Sequence, residues 1–398
     1  MKVAVVGEVF SPNLGDGVIF ECVSHLFAER GVEVVPIDLR GRRGWEPQGA
    51  AGSPAPAAGG ARRVAQLAVR RSRALRRGIT AWRWYSRERA HSAREWDAII
   101  RSCDAVVIGG GQMLLDIGFS FAPRIAEIVR LARRQGKPVA FFGCGAGSRW
   151  GLVATRIYAG ALNYASYVSV RDRASARMVA RVLKPGREVV AHPDPGFAAG
   201  TVYPAGGGGA GVVGLGVQPA QHLRNFSPAL ESVDDATYLE FWATVARSVA
   251  AAGQEVEVFS NGDAEDQEAA ARIHAHLVER GIRATLAPHP RTPAELVGLI
   301  AGYSAVLCTR MHAGIVSFAL GRRTIPISWD PEKVRNVWDF LGRGEAVLDA
   351  EVLLHPDRWT LADPRGPRAA VLGAEERAEV RAELQREADA CLDALRRA

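Results

Sequence analysis

Short apolar runs, each followed by a loop and then by a segment of helical periodicity, recur along the whole chain and constrain its fold more than any other feature. Such runs are typical of strands that are buried on both faces of a parallel sheet. Their alternation with helices predicts an α/β fold. The predicted strands lie at residues 3–6, 33–37, 105–108, 139–142, 167–170, 212–217, 256–259 and 305–308, and the predicted helices at 17–30, 121–135, 152–163, 174–183, 236–251, 264–280, 293–301, 313–320 and 374–397.

The length of the chain and one glycine-rich segment indicate two domains. A chain of 398 residues exceeds what one hydrophobic core usually supports. The strand–helix alternation begins again just after this glycine-rich segment. We therefore predict an N-terminal domain at residues 1–203, a linker at 204–210, and a C-terminal domain at 211–398 that ends in a closing helix. Two Rossmann-like, doubly wound domains would then face each other across a cleft.

An arginine-rich insertion at about residues 41–96 separates the second and third predicted strands. It begins with a low-complexity Ala/Gly/Pro run that predicts a flexible linker at 48–61. Residues 62–94 contain eleven arginines and one glutamate, which exceeds the net charge of +7 of the whole chain. The spacing of Val64, Ile79 and other apolar residues predicts a basic helix with one partly apolar side.

This basic helix has two interpretations. It is either a solvated helix between two strands, or it docks on an anionic membrane surface or a diphosphate-linked lipid. No recognised nucleic-acid-binding module surrounds it, so we expect no nucleic-acid partner.

The apolar segments and the cysteines indicate where in the cell the protein is located. The N-terminal apolar run is too short for a signal peptide, and no apolar stretch reaches the length of a membrane helix. Five widely spaced cysteines lack the paired spacing of metal ligands. These features predict a cytoplasmic protein with reduced thiols and no metal ion, which the basic helix would place peripherally at the inner face of the membrane.

Polar and glycine-rich loops follow the predicted strands of the N-terminal domain, at the edge where doubly wound folds bind ligands. The first loop carries Asn13 and Asp16, and Asp16 either takes part in chemistry or caps the next helix. The second loop contains Gly109, Gly110 and Gly111, which expose backbone amides to an anion or simply allow tight packing. Its spacing does not match a dinucleotide-binding motif, and no P-loop lysine follows.

Two arginines and one histidine follow further strands. The guanidinium of Arg171 suits a phosphate or a carboxylate, although a surface ion pair with Asp172 or Glu188 is the commoner fate of an arginine. Arg310 and His312 lie at the start of a helix in the second domain and would face the cleft from the opposite side. Histidine is suited to proton transfer near neutral pH, with a core or capping histidine as the alternative.

These segments together resemble the polysaccharide pyruvyl transferase family. The resemblance spans most of the chain, and the order and spacing of the motifs are jointly specific. It implies a fold like that of the B-type glycosyltransferases. It also implies transfer of a pyruvyl group from phosphoenolpyruvate to a sugar diol of a glycan or glycolipid precursor, with formation of a ketal, in polysaccharide biosynthesis at the cell envelope. The motifs are Asn13-Leu-Gly-Asp16, Gly109-Gly-Gly111, Ser169-Val-Arg-Asp172, Arg310-Met-His312 and Asp330-Pro-Glu-Lys333.

The resemblance also implies roles for individual residues. Arg171 and Arg310 would bind the carboxylate and the phosphate of the donor, and Lys333 would pair with the phosphate. His312 would act as an acid or a base, and Asp16 would deprotonate a sugar hydroxyl. Phosphoenolpyruvate would be the donor substrate, and no cofactor would be needed.

The sequence departs from the family pattern in two places, both of which bear on the acceptor. One is the long insertion, and the other is Trp329, where a tyrosine is common. Two other functions remain open: a glycosyltransferase that uses a nucleotide sugar, which the same fold would accommodate, and a non-catalytic protein that binds a glycan or a phosphorylated metabolite.

Overall fold

The computed structural model describes residues 1–45, 73–116, 118–203, 211–328, 331–364, 366 and 368–398. Several sequence predictions lie outside these residues: the linker at 48–61, the first part of the basic helix up to residue 72, the glycine-rich linker at 204–210, and Trp329 with Asp330.

The first half of the chain forms one parallel sheet with helices on both faces. Its strands are β1 (Lys2–Gly7), β2 (Glu33–Asp38), β3 (Ala105–Gly109), β4 (Val139–Cys144), β5 (Tyr167–Val170) and β6 (Val190–Ala191). Its helices are α1 (Leu14–Ala28), α2 (Arg73–Arg83), α3 (Arg89–Ser102), α4 (Ala122–Arg134), α5 (Leu152–Tyr164), α6 (Arg173–Ala180) and α7 (Ala199–Val202). The strand order is β2-β1-β3-β4-β5-β6.

The second half forms a second parallel sheet. Its strands are β7 (Val212–Gly216), β8 (Glu255–Phe259), β9 (Thr285–Leu286), β10 (Ala305–Cys308), β11 (Arg323–Ser328) and β12 (Leu348–Asp349). Its helices are α8 (Ala220–Phe226), α9 (Asp235–Ala251), α10 (Ala264–Glu279), α11 (Pro293–Gly302), α12 (Met311–Ala319) and α13 (Pro331–Phe340), and helix α14 (Ala374–Arg397) ends the chain. The strand order is β12-β11-β10-β7-β8-β9.

These two strand orders confirm the predicted pair of doubly wound α/β units. In each sheet the direction of winding reverses beside the unit's first strand, between β1 and β3 in one sheet and between β7 and β10 in the other. Loops that leave the carboxyl ends of strands at such a reversal diverge and leave a crevice for a ligand. The fold therefore creates two crevices, one for each sheet.

Helix α14 has the predicted bounds but packs on the first sheet, although it follows the second unit in the chain. Its buried residues Leu384, Ala388 and Cys391 belong to the same core cluster as Phe27 of α1. Arg30 also forms an ion pair with Asp389. The C-terminal helix is thus part of the support of the first unit, and the exact domain ranges stay a prediction.

The described part of the insertion is anchored to the first unit rather than fully solvated. Between α2 and α3 the chain forms one π-helical turn at Trp84–Glu88. Trp84 is buried and stacks on Trp96 of α3 with ring centroids 5.8 Å apart. The guanidinium of Arg124, from α4, lies 4.6 Å from the centroid of the Trp84 ring.

Some elements differ from the sequence prediction for local reasons. Strands β6, β9 and β12 have two residues each, too short for a periodic signal, and β11 and α13 lie in a segment whose apolar pattern gave no clear period. Helix α1 begins at Leu14 rather than at residue 17, because Asn13 adopts the extended conformation of a cap. Helix α12 begins at Met311 rather than at residue 313, with Arg310 at the cap.

Two further properties concern the predicted setting. All five cysteines are buried and free. No helix among the described residues is both long and apolar enough to cross a membrane.

Candidate active site

One cavity of about 1390 Å³ lies where the crevices of the two sheets face each other. Residues from loops on both units line it, because the two reversal points are turned toward each other. All nine residues predicted from the sequence contribute to its wall: Asn13, Asp16, Gly109, Gly110, Gly111, Arg171, Arg310, His312 and Lys333.

The N-termini of helices α1 and α12 approach each other at one of the contacts between the two units. A Cβ atom on Gly15 would lie 2.4 Å from Cβ of His312, a distance that real side chains do not allow. Beside this contact, the Asn13 side chain accepts a hydrogen bond from Asn261 Nδ2 at 2.6 Å, and the Leu14 amide donates to the Asn261 carbonyl at 3.0 Å. Gly15 is therefore required for space, since only a hydrogen atom fits there.

This contact brings Asp16 and His312 together. Nδ1 of His312 lies 3.3 Å from Oδ1 of Asp16, and Asn13 donates from Nδ2 to the other Asp16 oxygen at 3.2 Å. Nε2 of His312 is buried and has no hydrogen-bond partner within the described part of the chain. Because Asn13 occupies the cap position of α1, capping does not account for Asp16.

Burial and neighbouring charges shift both pKa values of this pair. Burial, with the negative charge of Glu8, raises the pKa of Asp16 to about 7, although Lys333 and Arg310 act in the opposite direction. Burial and the positive charges of Arg171, Lys333 and Arg310 hold the pKa of His312 well below its ordinary value. At neutral pH the imidazole is therefore uncharged, and the carboxyl group is close to its midpoint.

Arg171 is buried and does not form the surface ion pair that is usual for arginines. Its side chain is 1% exposed, and Nη1 donates to Asp194 at 2.9 Å. Asp172 instead caps α6 by accepting a hydrogen bond from the Ser175 amide at 2.7 Å. A Cβ atom on Gly145 would lie 2.6 Å from Nε of Arg171, so this glycine gives the guanidinium its place at the cavity wall.

Arg310 is held in the same manner by a buried carboxylate from another helix. Its Nε donates to Asp266 at 2.7 Å, and Nη2 also contacts Asp266. Nη2 lies 3.5 Å from Nδ1 of His222. A two-point contact fixes the plane of the guanidinium, so Nη1 is the nitrogen that Asp266 leaves for a ligand.

Of the two roles that the sequence allowed for the glycine loop after β3, the structure shows packing: the Gly110 amide donates to the Phe142 carbonyl at 3.0 Å. Binding of an anion by this loop stays a prediction. Gly110 and Gly111 have φ angles of 72° and 76°, which side chains rarely adopt. A Cβ atom on Gly110 would lie 2.5 Å from Ile19, so packing also excludes a side chain there. Gly111 faces Asp16, with 3.7 Å between the position of its missing Cβ and the carboxylate. Packing thus explains Gly110, and Gly111 opens the wall beside Asp16.

Among the polar residues of the site that sequence analysis missed, four lie next to the predicted arginines or line the second unit's side of the cavity. Gln218 and His222 line the cavity from the segment after β7, at the same place in the second unit that Asn13 and Asp16 occupy in the first. The position after a buried strand was a signal that could have identified Gln218 and His222. Asp194 and Asp266 carried no such signal, because nothing in the sequence shows that these carboxylates are buried beside arginines.

The raised pKa of Asp16 yields a measurable prediction. We expect the Asp16 carboxyl to titrate near pH 7 in ¹³C NMR spectra, with the signal assigned by its loss in Asp16→Asn. Glu8→Gln is expected to lower this midpoint, because the charge of Glu8 raises it. The folded protein binds this proton more tightly than the unfolded chain does. The contribution of Asp16 to the free energy of unfolding therefore falls as pH rises from the ordinary aspartate pKa to about 7.

Asp235 provides an internal reference for this titration, because hydrogen bonds from Arg272 and Arg224 lower its pKa. A midpoint for Asp16 near that of an ordinary aspartate, in both wild type and Glu8→Gln, would contradict the buried pair described above.

No group of three or more His, Cys, Asp or Glu side chains is placed to hold a metal ion, as far as the described residues extend. The predicted independence from metal ions is not tested by this observation.

Solved structures that are similar to this chain include two epimerases and a glycosyltransferase. UDP-GlcNAc 2-epimerase from Methanocaldococcus jannaschii has a TM-score of 0.49 and 10% identity, over 96% of this chain and 99% of that one. UDP-N-acetylglucosamine 2-epimerase from Rickettsia bellii has a TM-score of 0.47 and 11% identity, over 98% and 95%. A heptosyltransferase from E. coli with ADP has a TM-score of 0.40 and 16% identity, over 82% and 87%. These scores carry no argument about function, and the fold assignment rests on the strand orders.

Sequence comparison is more specific. Among curated proteins no significant match is found. The model of the family described as polysaccharide pyruvyl transferase matches residues 13–331, a range that begins at Asn13 and includes Arg171, Arg310 and His312. The match covers most of the chain, and the residues that carried the resemblance meet in one cavity. The chain therefore belongs to the polysaccharide pyruvyl transferase family.

Proposed function

We propose that this protein transfers the pyruvyl group of phosphoenolpyruvate to two neighbouring hydroxyls of a sugar and forms a pyruvate ketal. The family assignment supports pyruvyl transfer. The observation that carries the proposal is the meeting of Arg171, Arg310 and His312, from two separate units, around one cavity.

The donor is bound by cations that are held in place before it arrives. A phosphate ester carries about −1.5 to −2 charges at pH 7, and the carboxylate of phosphoenolpyruvate adds another. Arg171 and Arg310 bind the phosphate and the carboxylate, and Lys333 adds a third positive charge at the cavity wall. Because Asp194 and Asp266 fix the two guanidinium groups, little reorganisation is needed when the anion binds.

Asp16 and His312 transfer the protons of the reaction. Protonation of the methylene carbon of the donor leaves an oxocarbenium-like centre at the adjacent carbon, and one sugar hydroxyl attacks it. Phosphate departs with the electron pair of its C–O bond, and the neighbouring hydroxyl closes the ketal and loses its proton. His312 delivers the proton from Nε2 to the methylene carbon, and in the same step Nδ1 takes the proton that Asp16 holds near neutral pH, so the ring stays neutral and Asp16 becomes ionised.

After this step the ionised Asp16 accepts a proton from the sugar hydroxyl. A raised pKa suits both halves of the cycle, because the group can give and take a proton at the same pH. The proton of the second hydroxyl leaves with the departing phosphate, so Asp16 and His312 together end with as many protons as they held at the start, and exchange of the ring proton restores the starting tautomer. No metal ion is required, since the arginines offset the charge of the donor.

The acceptor is a sugar or a lipid-linked glycan precursor. The insertion forms the part of the cavity wall beside which this acceptor binds. Arg77 and Ile79 of α2 line the cavity next to Trp150. Nη2 of Arg77 contacts both carboxylate oxygens of Asp116, at 2.8 and 2.9 Å, and the Gly151 amide donates to the same carboxylate at 2.8 Å. This contact joins the insertion to the loop that follows β3.

The outer face of the insertion docks on an anionic membrane. Ile79, Trp82 and Tyr85 are exposed at a spacing of three residues, and Trp82 is 59% exposed. Leu152 and Val153, which follow Gly151 of the cavity wall, are also exposed. The guanidinium of Arg87 lies 5.0 Å from the Trp82 ring centroid, and aromatic rings beside arginines are typical of surfaces that meet lipid headgroups.

Turnover tests the function directly. Purified protein is incubated with phosphoenolpyruvate and a panel of sugar and lipid-linked glycan acceptors, and phosphate release and the mass of the product are followed. We expect phosphate and a pyruvylated product from wild type, and a loss of at least about 100-fold in His312→Ala, because proton transfer by a positioned group contributes roughly that much. His274→Ala, on α10 and outside the cavity wall, is the matched control and should retain activity.

Two results would contradict the proposal. Turnover of a nucleotide sugar without use of phosphoenolpyruvate would favour the glycosyltransferase, and binding of either ligand without turnover would favour the non-catalytic protein. Activity is also expected to persist in EDTA, and its loss would refute the metal-independent mechanism.

Membrane docking is tested by sedimentation with vesicles of phosphatidylglycerol or of phosphatidylcholine. We expect wild type to bind the anionic vesicles more strongly, with binding that weakens as salt is added. The double variant Trp82→Ser/Tyr85→Ser should lose binding, whereas Val278→Ser, which changes an exposed apolar residue of the second unit, should not. Equal binding of the double variant and wild type would show that the exposed surface of Ile79, Trp82 and Tyr85 does not dock on the membrane.

A further inference from the structure

A buried row of polar side chains lies behind Arg171 on strand β5. Tyr167 and Ser169 alternate along the strand and therefore point to the same side of the sheet, and Arg171 continues this alternation directly after the strand ends. Ser169 and Arg171 are buried, and Tyr167 is partly buried. Arg171 stands at the end of the row that reaches the cavity.

A second row pairs with the first, residue by residue. Nε2 of His192 lies 3.0 Å from the hydroxyl of Ser169, and two positions further along both segments Asp194 accepts from Arg171 at 2.9 Å. Asp194 also accepts from the Gly196 amide at 2.8 Å. The carboxylate that orients Arg171 is therefore itself held from two sides.

Helix α14 closes the far end of these rows with Glu387. The hydroxyl of Tyr167 donates to Oε1 of Glu387, and the same oxygen lies 3.8 Å from Nε2 of His192. Glu387 is buried, although it belongs to a helix in which most carboxylates face solvent. It also lies outside the range that the family model matches, which ends at residue 331.

The hydrogen bonds of His192 show which atoms donate and which accept in this network of buried polar side chains on and beside β5. Nδ1 lies 2.6 Å from the Pro193 carbonyl, which can only accept, so Nδ1 carries the proton and Nε2 accepts from Ser169. Burial lowers the pKa of His192 to about 4, so the ring stays neutral. Ser169 in turn accepts from the Gly143 amide at 3.1 Å.

Gly143 lies near the end of β4 and leads into a segment, here called the Gly143 loop, whose Gly145 lies against the guanidinium of Arg171. The network therefore reaches Arg171 by two routes. One runs through Ser169 and the Gly143 loop, and the other runs along the chain from His192 to Asp194.

We propose that Glu387 is a positioning residue for anion binding in the cavity: through Tyr167 it anchors strand β5, whose Ser169 bonds to the Gly143 loop and to His192, and so fixes the guanidinium of Arg171 toward the ligand. The anion is the donor if the proposed function is right, but the positioning role depends only on Arg171 binding an anion. A side chain that merely stabilised helix α14 would affect melting and leave anion affinity unchanged.

Calorimetry with two probes, phosphoenolpyruvate and inorganic phosphate, tests this role. We expect Glu387→Ala to weaken the binding of both by about tenfold, the effect of losing a buried hydrogen bond. Glu387→Gln keeps an acceptor for Tyr167 and should bind nearly as well as wild type, and Tyr167→Phe should show part of the loss. Glu379→Gln changes an exposed carboxylate of the same helix and is the matched control.

Kinetics and melting temperature separate positioning from a structural role. With phosphoenolpyruvate, Glu387→Ala should raise KM for the donor more than it lowers kcat and should leave KM for the acceptor unchanged. A melting temperature that falls without any change in the affinity for either probe would overturn the proposal.

The outcomes also separate this proposal from the proposed function. If wild type binds phosphate but does not turn over phosphoenolpyruvate, the proposed function fails, and weaker phosphate binding in Glu387→Ala still supports positioning. If wild type binds neither probe, Arg171 does not bind an anion and the positioning role is refuted.

Discussion

The approach of Gly15 to His312 is the contact on which the site depends. A methyl group at residue 15 would lie 2.4 Å from Cβ of the histidine, so any side chain there would push the N-termini of α1 and α12 apart. The same helix start carries Asp16, and the same neighbourhood carries the hydrogen bond between Asn13 and Asn261. Because interiors are close-packed, the two units cannot separate here without losing the Asp16–His312 pair.

The charges of the site follow a second constraint. Removing an arginine from water is costly unless a carboxylate and further hydrogen bonds compensate. Asp194 and Asp266, both fully buried, provide this for Arg171 and Arg310. These two carboxylates lower the net positive charge of the cavity, but they fix the directions in which the N–H groups of the arginines point. The site therefore gains preorganised hydrogen-bond donors rather than the largest possible charge.

Neutral His312 beside a carboxyl group with a raised pKa follows from the same arrangement. The positive charges that attract an anionic donor also disfavour an imidazolium ion, and they act together with burial. The proton is then more easily kept on Asp16, where Glu8 and burial favour it. An anion bound between the arginines would offset part of their charge and raise the pKa values of both groups.

The sequence predicted the features that depend on local residue patterns, which are the central strands and the loops that follow them. Apolar runs such as Val139–Cys144 located the central strands, and their loops located Asp16, Arg171 and His312, because carboxyl ends of parallel strands meet at one edge. The two-residue edge strands were missed, since they carry no period.

Roles that arise from contacts between distant residues were also missed. Asp266 and Glu387 lie on helices with many other acidic residues, and only tertiary structure shows which carboxylates are buried beside Arg310 and Tyr167. Gly15 was visible as a glycine, but the reason for it lies almost 300 residues away, at His312.

A crystal structure with bound phosphoenolpyruvate would show whether groups from both units converge on one donor molecule. We predict donor oxygens within about 3 Å of nitrogens of Arg171 and Arg310, with the methylene carbon next to Nε2 of His312. A donor bound against Gln218 and His222 alone, away from Arg171 and His312, would contradict it.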